Sequence, residues 1–169
     1  MSGESFPRPP QQFDDREGRP IEIRTLGEDP DGLAALVEMY DDYDPADRAQ
    51  GIPPVGEDAV RDWLETLLDG ESYNVVAWDG TAAVGHATLV AGADRGYELA
   101  IFVHQPYQGA GIGTRLLRTL LGHGVESGVE TVWLTVERWN RSAIALYEKV
   151  GFETQSSESF ELEMELDLH

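Results

Sequence analysis

Cysteine is absent from the 169 residues, which excludes disulfides, thiolate catalysis and Cys-ligated zinc. Lysine is almost absent: Lys149 stands alone, and the other eleven of the 12 basic residues are arginines. Opposite them are 32 Asp and Glu, for a formal net charge of -20. Binding nucleic acid requires clustered Lys and Arg to neutralise phosphate, so nucleic acid is excluded as a partner. No apolar run approaches the ~18 residues of a membrane span, and no membrane association is expected. The first twenty residues, "MSGESFPRPPQQFDDREGRP", lack the apolar centre of a secretory signal. They are polar with four prolines and read as a disordered arm over 1–20. The expected location is the cytoplasm, and 21–169 is long enough for one domain with its own core.

The carboxylates are spread through nearly every segment, including segments with apolar stripes. Such self-repulsion is best tolerated where salt screens it, since the Debye length falls to about 3 Å at 1 M. The composition therefore predicts a halophilic, high-salt cytoplasm. An ordinary acidic soluble protein is the competing reading.

Periodicity gives the order of elements. "IEIRTL" (21–26) alternates as a first strand, and Leu33, Leu36, Val37 and Tyr40 form a helical stripe with Asp31 as its candidate cap. Residues 43–56 are dense in turn formers and read as a loop. Val60, Trp63, Leu64, Leu67 and Leu68 form a second stripe. Strand-like runs follow at 73–78, 82–92 and 97–103, separated by "DGT" and "ADRG" turns. The run 97–103 is apolar on both faces and is expected at the centre of a sheet. A third helix carries Leu116, Leu117, Leu120 and Leu121; "TVWLTV" (131–136) is a strand. A short helix shows Ala143, Leu146, Tyr147 and Val150 on one face and closes at Gly151. In the terminal strand, Phe160, Leu162, Met164, Leu166 and Leu168 alternate with carboxylates, and the residues from Phe152 are its expected hairpin partner.

The stretch "QPYQGAGIGTRLL" (105–117) puts three glycines in five residues at the head of a helix. Glycine costs a helix roughly 1 kcal/mol relative to alanine, so bare backbone must be needed there. A strand, a glycine turn and a helix N-terminus together offer unpaired N–H groups and a partial positive charge to phosphate. Neutral donors of this kind let an acidic protein hold a polyanion. The P-loop pattern fails because it needs a lysine, and G-x-G-x-x-G fails because Thr114 occupies its third glycine position.

The pattern present is Q-x-x-G-x-G, with Gln108, Gly111 and Gly113 and an additional Gly109. A second block, "VERWNRSAIALYEKVGF", carries Asn140, Ala143, Leu146–Tyr147 and Gly151–Phe152. With both blocks in register, the sequence resembles the GNAT superfamily of N-acetyltransferases, in element order over 21–169 and most specifically over 97–152. The resemblance implies an α/β (α+β) fold: a mixed, mostly antiparallel sheet of six to seven strands flanked by about four helices. It also implies acetyl-CoA as co-substrate, no metal, and an amine acceptor, a protein lysine ahead of a small amine, in a monomer or homodimer. By the same resemblance Ile101, Phe102 and Val103 offer backbone groups to the pantetheine arm and thioester. Gln108, Gly109, Ala110, Gly111, Ile112, Gly113 and Thr114 hold the pyrophosphate, and Asn140 hydrogen-bonds the cofactor.

Acetyl transfer to an amine of pKa roughly 10.4 needs a base, and the departing thiolate needs a proton. Tyr147 is the candidate acid, its competing role being a core tyrosine. Members that modify protein N-termini carry a glutamate five residues before the asparagine; Thr135 stands there instead. The strand-to-turn segment "YELAIFVHQPYQGAGIG" is similar to that of protein-lysine acetyltransferases with a glutamate base, which points to Glu98. A surface carboxylate is its competing role, and His86 and His104 are lesser candidates. Asn140 also suits a plain N-cap, and Arg115 and Arg141 suit either phosphate or a neighbouring carboxylate. A non-catalytic acyl-CoA sensor is the alternative from another class.

The charge generates one expectation for stability. The melting temperature should rise from low salt to molar KCl, because screening removes self-repulsion. Calorimetric scans across that range check it, and a flat or falling trend contradicts the high-salt reading.

Overall fold

The computed structural model describes residues 6–26, 30–43, 54–92, 96–156 and 160–168. Its strands are β1 (Gln11–Asp14), β2 (Pro20–Thr25), β3 (Ser72–Asp79), β4 (Ala82–Ala91), β5 (Tyr97–Val103), β6 (Thr131–Glu137), β7 (Glu153–Ser156) and β8 (Glu161–Asp167). Its helices are α1 (Pro30–Asp41), α2 (Glu57–Asp69), α3 (Ile112–Glu126) and α4 (Arg141–Val150), with a 3-10 turn at Gln105–Tyr107. The strands form one sheet in the order β1-β2-β3-β4-β5-β6-β8-β7. All neighbours are antiparallel except β5 and β6. The loop read over 43–56 and the turn before Gly96 fall mostly outside the described residues.

Each helix covers the sheet because its apolar stripe has nowhere else to go. α3 and α4 cover one face: Leu116, Leu117, Leu120 and Leu121 are fully buried against Val75, Ala87, Leu89 and Val132. Burying a leucine contributes about 1.5–3 kcal/mol, so this stripe is the main tie between α3 and the sheet. α1 and α2 cover the other face through Leu36, Val37, Tyr40, Val60 and Leu64, packed on Val76, Trp78 and Phe102. β5 feeds both layers, with Leu99 in the first and Phe102 in the second.

Two expectations change. The sheet has eight strands rather than six or seven, and the additional edge strand lies inside the segment 1–20 read as a disordered arm. β1 pairs with β2 from Gln11↔Ile23 to Asp14↔Pro20, and Phe6 and Phe13 pack against the α3 core. Only residues 1–5 of that segment lie outside the described residues. Gly122 makes the docking feasible: a Cβ there would overlap the Pro7 carbonyl. Phe160 is the first apolar residue of the alternation expected for the last strand. It sits in the preceding turn instead, 81% exposed, while Met164 is the fully buried member of β8.

The α1 layer is fastened by a buried polar chain. The Tyr40 hydroxyl meets His86 Nδ1 at 2.7 Å, and His86 Nε2 meets Asn74 Oδ1 at 2.8 Å. Asn74 Nδ2 donates to Ser72 Oγ at 3.0 Å, which donates to the Leu67 carbonyl at 2.8 Å. Because Asn74 Oδ1 accepts, His86 carries its proton on Nε2 and Nδ1 accepts from Tyr40. Burial pushes the His86 pKa down to about 3.

That depression sets a pH dependence. The unfolded histidine titrates near 6.5 and the folded one at about 3. The His86 contribution to stability is therefore complete above pH 6.5 and is lost as pH falls through that window. Nitrogen NMR should find the His86 ring neutral at pH 5 while the melting temperature has already begun to fall. A ring protonated at pH 5 in the folded protein contradicts this account.

Candidate active site

β5 and β6 pair at only two positions, Tyr97↔Val132 and Glu98↔Trp133. Beyond them β5 stays with β4 as far as Gly85↔Val103, while β6 stays with β8 as far as Glu137↔Glu161. The strands part after Glu98, and a gap opens alongside Leu99 to Val103. The His104 N–H donates to the Val84 carbonyl at 2.9 Å. In an antiparallel ladder the backbone groups alternate sides, so those of Phe102 also face β4 while those of Ile101 and Val103 face the gap. Gln108 Nε2 donates to the Val103 carbonyl at 2.9 Å from that side.

Of the three strand residues expected to present backbone, Ile101 and Val103 are placed to do so. Phe102 is turned away, its ring buried against Tyr40, Tyr43 and Trp63 at centroid distances of 5.5, 6.0 and 6.0 Å.

The glycine turn follows where β5 ends. Gly109 and Gly111 have φ of 74° and 90°, left-handed values that a side chain rarely adopts. Gly111 is the N-cap of α3 and has no side chain to cap it. The first helical bond in the turn is Arg115 N–H to the Gly111 carbonyl at 3.4 Å, so the N–H groups of Ile112, Gly113 and Thr114 lack an intrahelical partner. Ala110 and Ile112 bury their side chains and anchor the turn, presenting only backbone. A Cβ on Gly113 would lie 3.8 Å from Val103 Cγ2, which places Gly113 at the mouth of the gap. This donor set fits a pyrophosphate, with an extended arm lying along the strand edge.

Tyr147, on α4, packs in the same apolar cluster as Ile101 and Val103. Its ring stands edge-to-face on Phe152 at 5.7 Å, and burial pushes its pKa up to about 12. The phenol therefore keeps its proton throughout the neutral range. Glu98 is half-buried and shares a face with Ala100 and Phe102, the α1/α2 side. Tyr147 and Glu98 thus lie on opposite faces of the sheet, with the gap between β5 and β6 joining them.

Asn140 caps α4, its Oδ1 accepting from the Ala143 N–H at 3.3 Å. His86 is enclosed in the Tyr40–Asn74 chain, and His104 Nε2 lies 2.8 Å from the Asp42 carboxylate at the end of α1. Arg115 lines a cavity beside the glycine turn with its guanidinium over the Phe13 ring at 4.7 Å, whereas Arg141 is an exposed first residue of α4. The sequence reading missed Arg16. Its N–H donates to the Ala110 carbonyl at 3.0 Å, and its guanidinium meets the Gly109 carbonyl at 3.4 Å. No local signal marks it, because the turn that carries it is placed by pairing between β1 and β2. Among the described residues, no helix is long and apolar enough to cross a membrane.

The profile of the acetyltransferase (GNAT) family matches residues 33–152. A mycothiol acetyltransferase of Corynebacterium efficiens is 40% identical over 76 residues, 44% of this chain and 26% of that protein. A ribosomal protein bS18-alanine N-acetyltransferase of Haemophilus influenzae is 38% identical over 84 residues, 49% of this chain and 57% of that protein. The matched region therefore spans about a quarter of the first relative and somewhat over half of the second. Among solved structures, the GNAT domain of S. lividans PAT has a TM-score of 0.76 at 16% identity, covering 94% of this chain and 96% of that one. An acetyltransferase from Salmonella typhimurium, solved with acetyl-CoA, has a TM-score of 0.71 at 22% identity, covering 88% and 94%. At these identities the structures show a shared fold, and the profile covers well over half of the chain. The chain belongs to the acetyltransferase (GNAT) family.

Proposed function

We propose that the protein is an acetyl-CoA-dependent N-acetyltransferase that passes the acetyl group directly to a primary amine, a protein lysine ahead of a small amine. The observation that carries this is the gap between β5 and β6 opening onto a helix N-terminus with unpartnered intrahelical donors. When bound, acetyl-CoA supplies the acetyl group on a thiol of pKa roughly 8.5 that leaves readily. Gly109 to Thr114 hold its pyrophosphate through backbone N–H groups. Ile101 and Val103 line its arm, with the Val103 N–H directed at the acyl oxygen. The Asn140 side-chain amide donates a further hydrogen bond.

Tyr147 is the proton donor, since a phenol raised to about 12 is fully protonated at neutral pH. Glu98 takes the proton from the amine, which approaches from the α1/α2 face. On that face the register sets Glu98, Trp133, Glu165 and Glu153 in one row across four strands. Carboxylates there favour a cationic acceptor, consistent with a lysine side chain. A second reading, acetylation of a protein N-terminal amine, is favoured by the ribosomal-protein-alanine relatives. A panel of peptides carrying either a free N-terminus or only an internal lysine separates the two, and coenzyme binding without turnover on any amine leaves the sensor alternative.

Replacing Gly113 tests the coenzyme seat without straining the backbone, because its φ is not left-handed. Gly113→Val should weaken acetyl-CoA binding at least about tenfold, or 1.4 kcal/mol. Unchanged affinity in calorimetry, with the fold intact, removes this assignment.

The two catalytic roles separate by pH. Glu98→Gln should lower turnover roughly 10²–10⁴-fold at neutral pH with coenzyme affinity retained. Its defect should shrink as pH rises, because the amine then loses its proton to solvent. Tyr147→Phe keeps the ring packing, and its defect should not shrink in that way. Rate profiles from pH 6.5 to 9.5 check both, and full activity in either variant removes the role assigned to that residue.

A further inference from the structure

The turn between β1 and β2 is organised around one buried carboxylate. The Asp15 side chain is fully enclosed. Its Oδ1 accepts from the Glu17 and Arg19 N–H groups at 2.9 Å each, and its Oδ2 accepts from Arg19 Nε at 2.7 Å. The Asp15 N–H donates to the Arg19 carbonyl at 3.0 Å, which closes the turn. Enclosing a carboxylate is costly unless charge and hydrogen bonds meet it. Here a guanidinium and two backbone donors do so, and the turn is held in one arrangement.

That arrangement grips the segment 106–110 at both ends. Arg19 Nη1 donates to the Pro106 carbonyl at 3.3 Å, and its guanidinium lies 4.1 Å from the centre of the Tyr107 ring, whose hydroxyl donates to Asp79 at 2.7 Å. Further along, the Arg16 N–H donates to the Ala110 carbonyl at 3.0 Å and its guanidinium to the Gly109 carbonyl at 3.4 Å. In a planar trans peptide the carbonyl and the N–H point in opposite directions, and both peptide groups here are trans. With the Gly109 and Ala110 carbonyls drawn to Arg16, the N–H groups of Ala110 and Gly111 are aimed away from it. Neither N–H donates a hydrogen bond among the described residues. Glycine is the least restricted residue, so a turn built on Gly109 and Gly111 does not fix these directions by itself. The brace from β1–β2 does.

We propose that Asp15 is a positioning residue for the coenzyme: it fixes the β1–β2 turn, which through Arg16 and Arg19 orients the peptide groups of the glycine turn for the pyrophosphate. This rests on the coenzyme reading above. A carboxylate thereby favours an anionic ligand that it does not touch. Its charge alone acts in the opposite sense, since like charges repel. The sign of the effect of removing that charge therefore separates positioning from electrostatics.

The test is titration of the full chain, followed by amide NMR, with acetyl-CoA and with S-acetylpantetheine, which carries the same acyl arm and no phosphate. The wild type should bind acetyl-CoA at least about tenfold more tightly, as hydrogen bonds to a charged group require. Asp15→Asn removes the charge and keeps the shape. It should weaken acetyl-CoA about tenfold, leave S-acetylpantetheine unchanged and shrink the Ala110 and Gly111 amide shifts on coenzyme binding. Tyr107→Phe keeps the ring beneath Arg19, loses the bond to Asp79 and should show a smaller loss of the same kind. Tighter or unchanged acetyl-CoA binding in Asp15→Asn overturns the proposal, as does equal loss of both ligands, which marks a merely structural role. If Asp15→Asn does not fold, an undiminished preference in Tyr107→Phe overturns it instead. A folded wild type that binds neither ligand, or both alike, overturns the coenzyme reading itself, so the two failures are distinguishable.

Discussion

Parallel pairing of β5 with β6 stops after Glu98↔Trp133, and the remaining site geometry follows from that interruption. β6 is paired on its other edge by β8 and β5 by β4, so each strand is held by a full antiparallel ladder while they diverge from one another. The backbone groups of Ile101 and Val103 are left facing a gap. The Val103 carbonyl accepts from Gln108 Nε2, and a strand edge open in this way suits an extended ligand that supplies amide groups. The glycine turn lies at the end of the same strand, which brings an edge suited to an amide-bearing arm and a seat suited to phosphate into continuity.

Electrostatics divides the surface between two chemistries. In the proposed seat, phosphate would be met first by neutral backbone N–H groups, a means of binding a polyanion that does not depend on net charge. Four of the 12 Lys and Arg residues, Arg16, Arg115, Arg118 and Lys149, line one cavity beside the glycine turn. Carboxylates occupy the opposite side of the sheet, with Glu98, Glu165 and Glu153 in one register row. An anionic co-substrate on one face and a cationic acceptor on the other would approach the gap without competing for the same groups.

The buried Tyr40–His86–Asn74 chain lies on the α1/α2 side of the sheet. His86 has both ring nitrogens engaged and is fully buried, which fixes it as a neutral strut between α1 and the sheet. His104 holds the end of α1 through Asp42. Both candidate histidines, His86 and His104, are thus engaged in holding α1.

Much of the fold was legible in the sequence because its signals are local. Alternation located β2, β3, β4, β5, β6 and β8 to within about a residue or two, and the 3.6-residue stripes located all four helices. The left-handed turn at Gly109 and Gly111 and the caps at Asn140 and Gly151 were likewise written in single residues, since only glycine tolerates those backbone angles and a short polar side chain reaches the first turn.

What depends on pairing was not legible. β1 is four residues of "QQFD", too short and polar to announce itself, and it exists because β2 offers an edge and α3 offers Gly122. Phe160 belongs to an alternation whose strand begins only at Glu161, and the Phe102 backbone faced β4 rather than the gap because of ladder phase. Arg16 reached the glycine turn across more than ninety residues of chain. The sequence by itself determined most of the elements, the glycine turn and the charge. Only the tertiary structure decided the strand order, the parting of β5 from β6 and which cations meet, because each of these is set by contacts between segments that carry no mark of one another.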